Sequence, residues 1–126
     1  MSVALWTVQA LLALFFLMHA LLKFVLPDGL PDTLTWLYDL PRLPSIVIGM
    51  LELMAAIGLV LPGVTRIRPR LVPLAAVGLM LTMIGAAIFH LTRGELVLIP
   101  VNVMVFLLAG FVAYGRIRLR PIAERT

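Results

Sequence analysis

The sequence predicts an all-α membrane protein: an antiparallel bundle of four transmembrane helices with a short interfacial helix in its first loop. Three observations carry that expectation. Hydrophobic residues fill 63% of the 126 positions, and the mean hydropathy is +1.14, far above the apolar share of a water-soluble domain. Four apolar runs, Val3–Leu26, Pro44–Pro62, Leu71–Leu91 and Leu96–Tyr114, have the length needed to cross a bilayer, roughly 20 residues. The connections between them are short, so residues 1–126 read as a single transmembrane domain without a soluble one.

The first run has no basic residue ahead of it and no small-x-small site behind it. It is also long for a signal sequence, so it reads as a retained span. Trp6 suits its starting interface, and Pro27-Asp28-Gly29 ends it. The loop that follows, Pro27 to Pro44, contains four prolines. Asp32, directly after Pro31, is placed to cap a short helix reaching Leu40. Leu34, Leu37 and Leu40 share a face there, with Trp36 and Tyr38 nearby, as expected of a helix lying in the interface.

The second run stops at Pro62-Gly63. The third begins near Pro69–Leu71 and tolerates Pro73 in its first turns, where a missing N–H costs little. Arg93-Gly94-Glu95 makes a tight turn. The fourth run has Pro100 near its start and ends at Tyr114-Gly115. Short loops between such helices give an up-down bundle.

The net charge is +4, and its distribution is more informative than its size. Arg66, Arg68 and Arg70 lie between spans two and three, and Arg116, Arg118, Arg120 and Arg125 follow span four. The opposite side carries Lys23, Arg42 and Arg93 together with Asp28, Asp32, Asp39 and Glu95. The positive-inside rule then places both termini in the cytoplasm. This pattern is an orientation signal, and no nucleic-acid partner is expected. The chain has no cysteine, which excludes thiol–disulfide chemistry and thiolate metal sites.

Glu52 stands in the middle of an otherwise uncharged run. A carboxylate there must pair with a polar group inside the bundle or line a wet cavity. At about 1.5 Å per residue, Glu52 lies roughly 12 Å inside, His19 roughly 10 Å and Asn102 roughly 9 Å. Lys23 is one turn from His19 on the same face. His90 is at the outer end of span three, with Thr82 two turns deeper. All four spans thus bring polar groups to the outer half, whereas the inner half offers only Thr7 and Gln9.

These residues also fall on stripes with helical spacing: Gln9, Leu12, Phe16, His19 and Lys23; Ser45, Gly49, Glu52 and Ala56; Gly78, Thr82, Ala86 and His90; Asn102, Phe106, Ala109 and Ala113. Small residues on such stripes allow helices to approach closely. The expectation is a pocket walled by His19, Glu52, His90 and Asn102, floored near Thr82, and covered by the loop helix around Trp36. In it Glu52, His19 and His90 are the candidates for proton chemistry, and Asn102, Lys23, Thr82 and Trp36 for holding a ligand.

Plainer readings stand beside this one. Asn102 and Thr82 are residue types that also serve as interhelical glue, and Lys23 has the alternative of snorkelling to the interface. Haem is not supported, because nothing here has a haem-specific spacing. A metal held by His19, Glu52 and His90 is an arrangement that any polar cluster imitates.

The order of several short motifs resembles the DoxX-like family of small bacterial membrane proteins. They are Gly49 to Leu53, the Gly58-to-Gly63 end of span two, Pro73 to Leu79, then His90, the Arg93-Gly94-Glu95 turn and Asn102. His19 to Phe24 matches a Lys-containing end to span one. The resemblance implies a four-helix protein of the bacterial cytoplasmic membrane. It also implies an association with redox complexes, since the family's namesake is the small membrane subunit of a thiosulfate:quinone oxidoreductase. No catalytic residue transfers with it.

Three functions remain open. The first is a bundle in the lipid bilayer that binds a quinone or similar lipophilic small molecule beside a soluble or membrane redox partner or as a homo-oligomer. The second is a stand-alone enzyme of isomerase or hydrolase type, using Glu52 with His19 or His90. The third is a structural or assembly protein with no ligand.

The charge pattern generates a topology prediction. Single cysteines at positions 2 and 126 should resist a membrane-impermeant thiol reagent in intact cells and react after permeabilisation. Labelling of both from outside would reverse the orientation.

Overall fold

The computed structural model describes residues 2–124; Arg125 of the basic tail lies outside the described residues. Helix α1 covers Ser2–Val25. A 3-10 turn at Asp32–Leu34 leads into the short α2, Trp36–Asp39. Helix α3 covers Arg42–Thr65 and α4 Leu71–Thr92. A second 3-10 turn, Leu96–Leu98, opens α5, Ile99–Tyr114, which closes in a π-type turn over Gly115–Leu119. The four spans are long and apolar enough to cross a membrane. Large apolar side chains such as Leu11, Leu81 and Leu107 are more than 60% exposed. A water-soluble bundle would hide such groups; here they form the lipid-facing surface of an integral membrane protein.

The spans form a closed ring. α1 packs on α3, α3 on α4, α4 on α5, and α5 returns to α1 along the slightest seam. Each buries one stripe. On α1 it is Leu5, Gln9, Leu12, Phe16, Ala20 and Lys23; on α3 it includes Ser45, Gly49, Glu52, Ala56 and Leu59. On α1 and α3 these are the stripes the helical spacing predicts, except that His19 is half-buried. α4 corrects the expectation: it buries Val72, Ala76, Leu79, Met83 and His90, while Gly78 is exposed and Thr82 and Ala86 are half-buried, because the larger apolar side chains fill the core. On α5, Asn102, Ala109 and Ala113 are buried as expected, with Val105 and Val112 in place of the half-buried Phe106.

Helix ends differ in detail from the sequence reading. α3 carries on past Pro62-Gly63 to Thr65. A proline ring meets the carbonyl four residues back, which here belongs to Gly58, packed against Ala75 of α4. The loop helix is shorter than expected, and Asp32 does not cap it with its side chain. Instead the Asp32 carbonyl accepts from Thr35 Oγ1 at 2.9 Å. Leu37 is fully buried, and this anchors the segment to the bundle.

The apolar core lies toward the end that carries both termini. Leu12, Leu59, Val72, Ala76, Leu79, Val105, Ala109 and Val112 fill it. At this end α1 meets the close of α5: a Cβ on Gly115 would run into the Leu5 side chain. Arg116, which the sequence groups with the surface arginines, turns inward and is 5% exposed. Its Nε donates to Gln9 Oε1 at 2.7 Å, Nη1 to the Arg120 carbonyl at 3.0 Å, and its plane lies 5.0 Å from the Trp6 ring centroid. Gln9 Nε2 donates in turn to the Leu59 carbonyl at 2.6 Å. This half therefore holds one polar clamp joining α1, α3 and the end of α5, and it corrects the reading of Gln9 and Thr7 as the only polar groups there.

The clamp predicts a non-additive pair. Gln9→Leu leaves the Arg116 guanidinium without its side-chain acceptor and should lower the melting temperature in detergent markedly. Combining it with Arg116→Met should recover most of the loss, because removing both partners of a buried polar contact costs less than removing one. Additive losses in the double variant would show that the contact contributes nothing.

Candidate functional site

Above the apolar core, the loop-end half of the bundle is hollow. A cavity of about 680 Å³ lies between the four spans and the loop helix, within the range of small-molecule sites. Its lining includes His19, Lys23, Trp36, Glu52, Thr82, His90 and Asn102, so the structure brings all seven candidate residues to one space. Most of the remaining wall is apolar, with Phe15, Phe16, Met83 and Phe89 among its residues.

Glu52 is paired inside this wall. Its Oε1 lies 2.7 Å from Lys23 Nζ, and both side chains are about 95% buried. Gly49 makes the contact possible. A Cβ there would meet the Phe24 ring at 3.0 Å and Lys23 Cβ at 3.2 Å, so any larger residue would press α1 away from α3 or displace the Phe24 ring. Lys23 does not snorkel away; its ammonium lies 5.4 Å from the Trp36 ring centroid.

Trp36 brings the loop helix onto the cavity wall. Its ring also meets His90 edge-on, with centroids 4.8 Å apart. The loop helix thus touches α1 through Lys23 and α4 through His90.

His90 is 3% exposed. Its Nδ1 faces Glu95 Oε1 at 3.1 Å. The same oxygen accepts from Arg93 Nε at 2.9 Å, and Arg93 Nη2 donates to Asp39 at the end of α2. Asp39, Arg93, Glu95 and His90 therefore form one polar chain from the loop helix to the cavity wall. The hydrogen bond from His90 first, and Arg93 after it, hold the Glu95 carboxyl below the usual carboxylate range against a smaller opposing effect of burial. A carboxylate with a depressed pKa contributes above its ordinary range and is lost as pH falls through the lowered value. The chain is thus intact at neutral pH. Sequence reasoning passed over Glu95 and Arg93 as site residues. The signal was the tight Arg93-Gly94-Glu95 turn, which brings Glu95 back to His90, five positions earlier.

The remaining residues are less engaged. Asn102 is 8% exposed, and its Nδ2 has no hydrogen-bond partner among the described residues. His19 stacks on Phe15, with centroids 4.3 Å apart, and neither ring nitrogen is bonded among the described residues. Thr82 Oγ1 donates to the Gly78 carbonyl at 2.9 Å, a contact within its own helix. His19, Glu52 and His90 do not gather into a metal-ligand set among the described residues.

The cavity also reaches the lipid face. Leu51 of α3 and Gly85 of α4 line it, and both are exposed. α3 and α4 touch at Gly58 and Ala75, but a Cβ at Gly78 or Gly85 would find nothing within 4 Å.

The DoxX-like family profile matches residues 7–112, which takes in every span and every residue of the cavity wall. The chain belongs to the DoxX-like family. No curated protein and no solved structure matches it significantly. For this DoxX-like protein the site must therefore be argued from its own geometry.

The ion pair generates a stability prediction. Lys23→Met leaves the Glu52 carboxylate buried and unpaired and should destabilise the bundle strongly, by about 3–5 kcal/mol on the scale of broken buried pairs. Lys23→Met with Glu52→Met should be far closer to the original protein. Melting curves in detergent, read by circular dichroism, decide between coupling and independence.

Proposed function

We propose that this DoxX-like protein binds a lipophilic small molecule, of the kind represented by a quinone, in the loop-end cavity. It does so as a subunit or accessory of a redox complex in the bacterial cytoplasmic membrane. In this reading the termini are cytoplasmic and the cavity faces the outer leaflet. The observation that carries it is Asn102 Nδ2, a buried hydrogen-bond donor with no partner among the described residues on the wall of an otherwise mostly apolar cavity. Buried polar atoms are nearly always satisfied, so this one points to a ligand oxygen. A volume of about 680 Å³ argues against the purely structural reading, in which the polar side chains would satisfy one another in a solid core.

Membrane access supports a ligand that arrives from lipid. The exposed gap beside Leu51 and Gly85 would admit a head group laterally and leave a hydrocarbon tail between α3 and α4. The loop helix, held by Arg93 and Asp39, covers the aqueous side.

The stand-alone enzyme is the second reading. The His90–Glu95 pair favours it, because a histidine oriented by a carboxylate is the usual form of a general base. Glu52 favours it less, since its charge is engaged by Lys23.

Asn102→Leu provides the test. It keeps the side chain's approximate size and removes the donor. Binding of a decyl-tailed quinone, measured by tryptophan quenching in detergent, should weaken roughly tenfold, the scale of one lost buried hydrogen bond. Unchanged binding would remove Asn102 from the site. Absence of binding of both the quinone and its hydroquinone to the original protein would remove the quinone-like class.

A further inference from the structure

The cavity wall carries a hydrogen-bond pattern that is more specific than "lipophilic". Glu95 Oε1 is a carboxylate oxygen that also receives the Arg93 Nε–H, so it can only accept. The imidazole nitrogen facing it, His90 Nδ1 at 3.1 Å, must therefore carry the proton. In a neutral imidazole the other nitrogen is then bare and accepts. That nitrogen, Nε2, makes no hydrogen bond among the described residues, and His90 lines the cavity. Asn102 offers the opposite character, an unpartnered Nδ2 donor. His19 has no such carboxylate on either nitrogen among the described residues, so it can adapt to a donor or an acceptor and imposes no preference. Lys23 and Glu52 satisfy each other's charge.

We infer that the cavity selects a lipophile whose head group donates a hydroxyl to His90 Nε2 and accepts at a second oxygen from Asn102 Nδ2. Glu95 is the positioning residue that imposes this selection by holding the His90 proton on Nδ1. The ligand class is an alkylated hydroquinone or hydroxylated aromatic, favoured over the quinone of the same skeleton. The quinone has only acceptors and would set one of them against the bare Nε2 lone pair. This inference rests on the binding reading above and refines the head group that binding requires.

The probes are a decyl-substituted hydroquinone, the corresponding quinone and the hydroquinone dimethyl ether. Titration is anaerobic, in detergent, at pH 8, where an imidazole is ordinarily neutral. The hydroquinone should bind roughly tenfold more tightly than either of the others, the scale set by one buried hydrogen bond made or missed. In Glu95→Ala the ratio should collapse toward one, because either His90 tautomer becomes available. In Glu95→Gln it should largely persist: the Arg93 Nε–H keeps the amide oxygen where Oε1 was, and that oxygen still accepts from Nδ1. A simple loss of structural support would weaken all three probes together and leave the ratio unchanged.

Nitrogen-15 shifts of labelled His90 give a second readout. They should show an unprotonated Nε2 in the original protein and in Glu95→Gln, and a mixture in Glu95→Ala. Equal or tighter binding of the quinone, or a protonated Nε2 in the original protein, overturns the inference and leaves the binding reading standing. Failure of all three probes to bind overturns both.

Discussion

A carboxylate in a bilayer-spanning helix must find a cation, and Glu52 finds Lys23 at 2.7 Å. Most of the loop-end architecture depends on that contact. An unpaired charge in hydrocarbon is costly by any measure, so α1 and α3 must keep one register and one separation. Gly49 permits the separation: its missing side chain leaves room for Phe24 and the stem of Lys23. The pair also brings the Lys23 ammonium under Trp36, which ties the loop helix to the wall. Packing, polar pairing and the cover over the cavity are consequences of one ion pair.

The bundle divides its polar groups between two levels. Near the termini, Gln9 and Arg116 engage each other and the Leu59 and Arg120 carbonyls beside the apolar core, with Arg116 Nη2 left unpartnered among the described residues. Toward the loops, the helices carry a donor without a partner at Asn102 and a histidine oriented by Glu95. Closely packed interiors rarely leave such groups beside a space of about 680 Å³. The tight half holds the four helices in position; the loose half offers what a ligand can use. α3 and α4 approach closely where Gly58 meets Ala75.

Membership of the DoxX-like family and the local geometry support the same level of the molecule by different routes. The family supplies the four-helix membrane frame. The polar chain Asp39–Arg93–Glu95–His90 supplies a physical link between the loop helix and the cavity wall. Seating of the loop helix and orientation of the histidine are thereby coupled through polar contacts at the loop end of the bundle.

The sequence by itself determined the class and the four long apolar helices, and it grouped the polar residues of the cavity toward one end. Apolar run length and a rise of about 1.5 Å per residue leave little freedom once a bilayer is the solvent. It also determined which face of α1 and α3 turns inward, because small and polar residues recur at helical spacing on the stripes of Gln9, Gly49 and Glu52; on α4 the same pattern misled, since Val72, Ala76, Leu79 and Met83 are buried and Gly78 is exposed. It could not choose among Lys23, His19 and His90 as the partner of Glu52. That choice depends on the rotation and separation of neighbouring helices, set by the contact of Gly49 with Phe24. It did not show Arg116 turning inward, since a guanidinium one turn past a span reads as surface charge until Gln9 is seen opposite it. Nor did it show Glu95 beneath His90, a contact made by the backbone of a three-residue turn. Run length and spacing belong to one helix; pairing follows from the positions of several, and only the tertiary structure decides those.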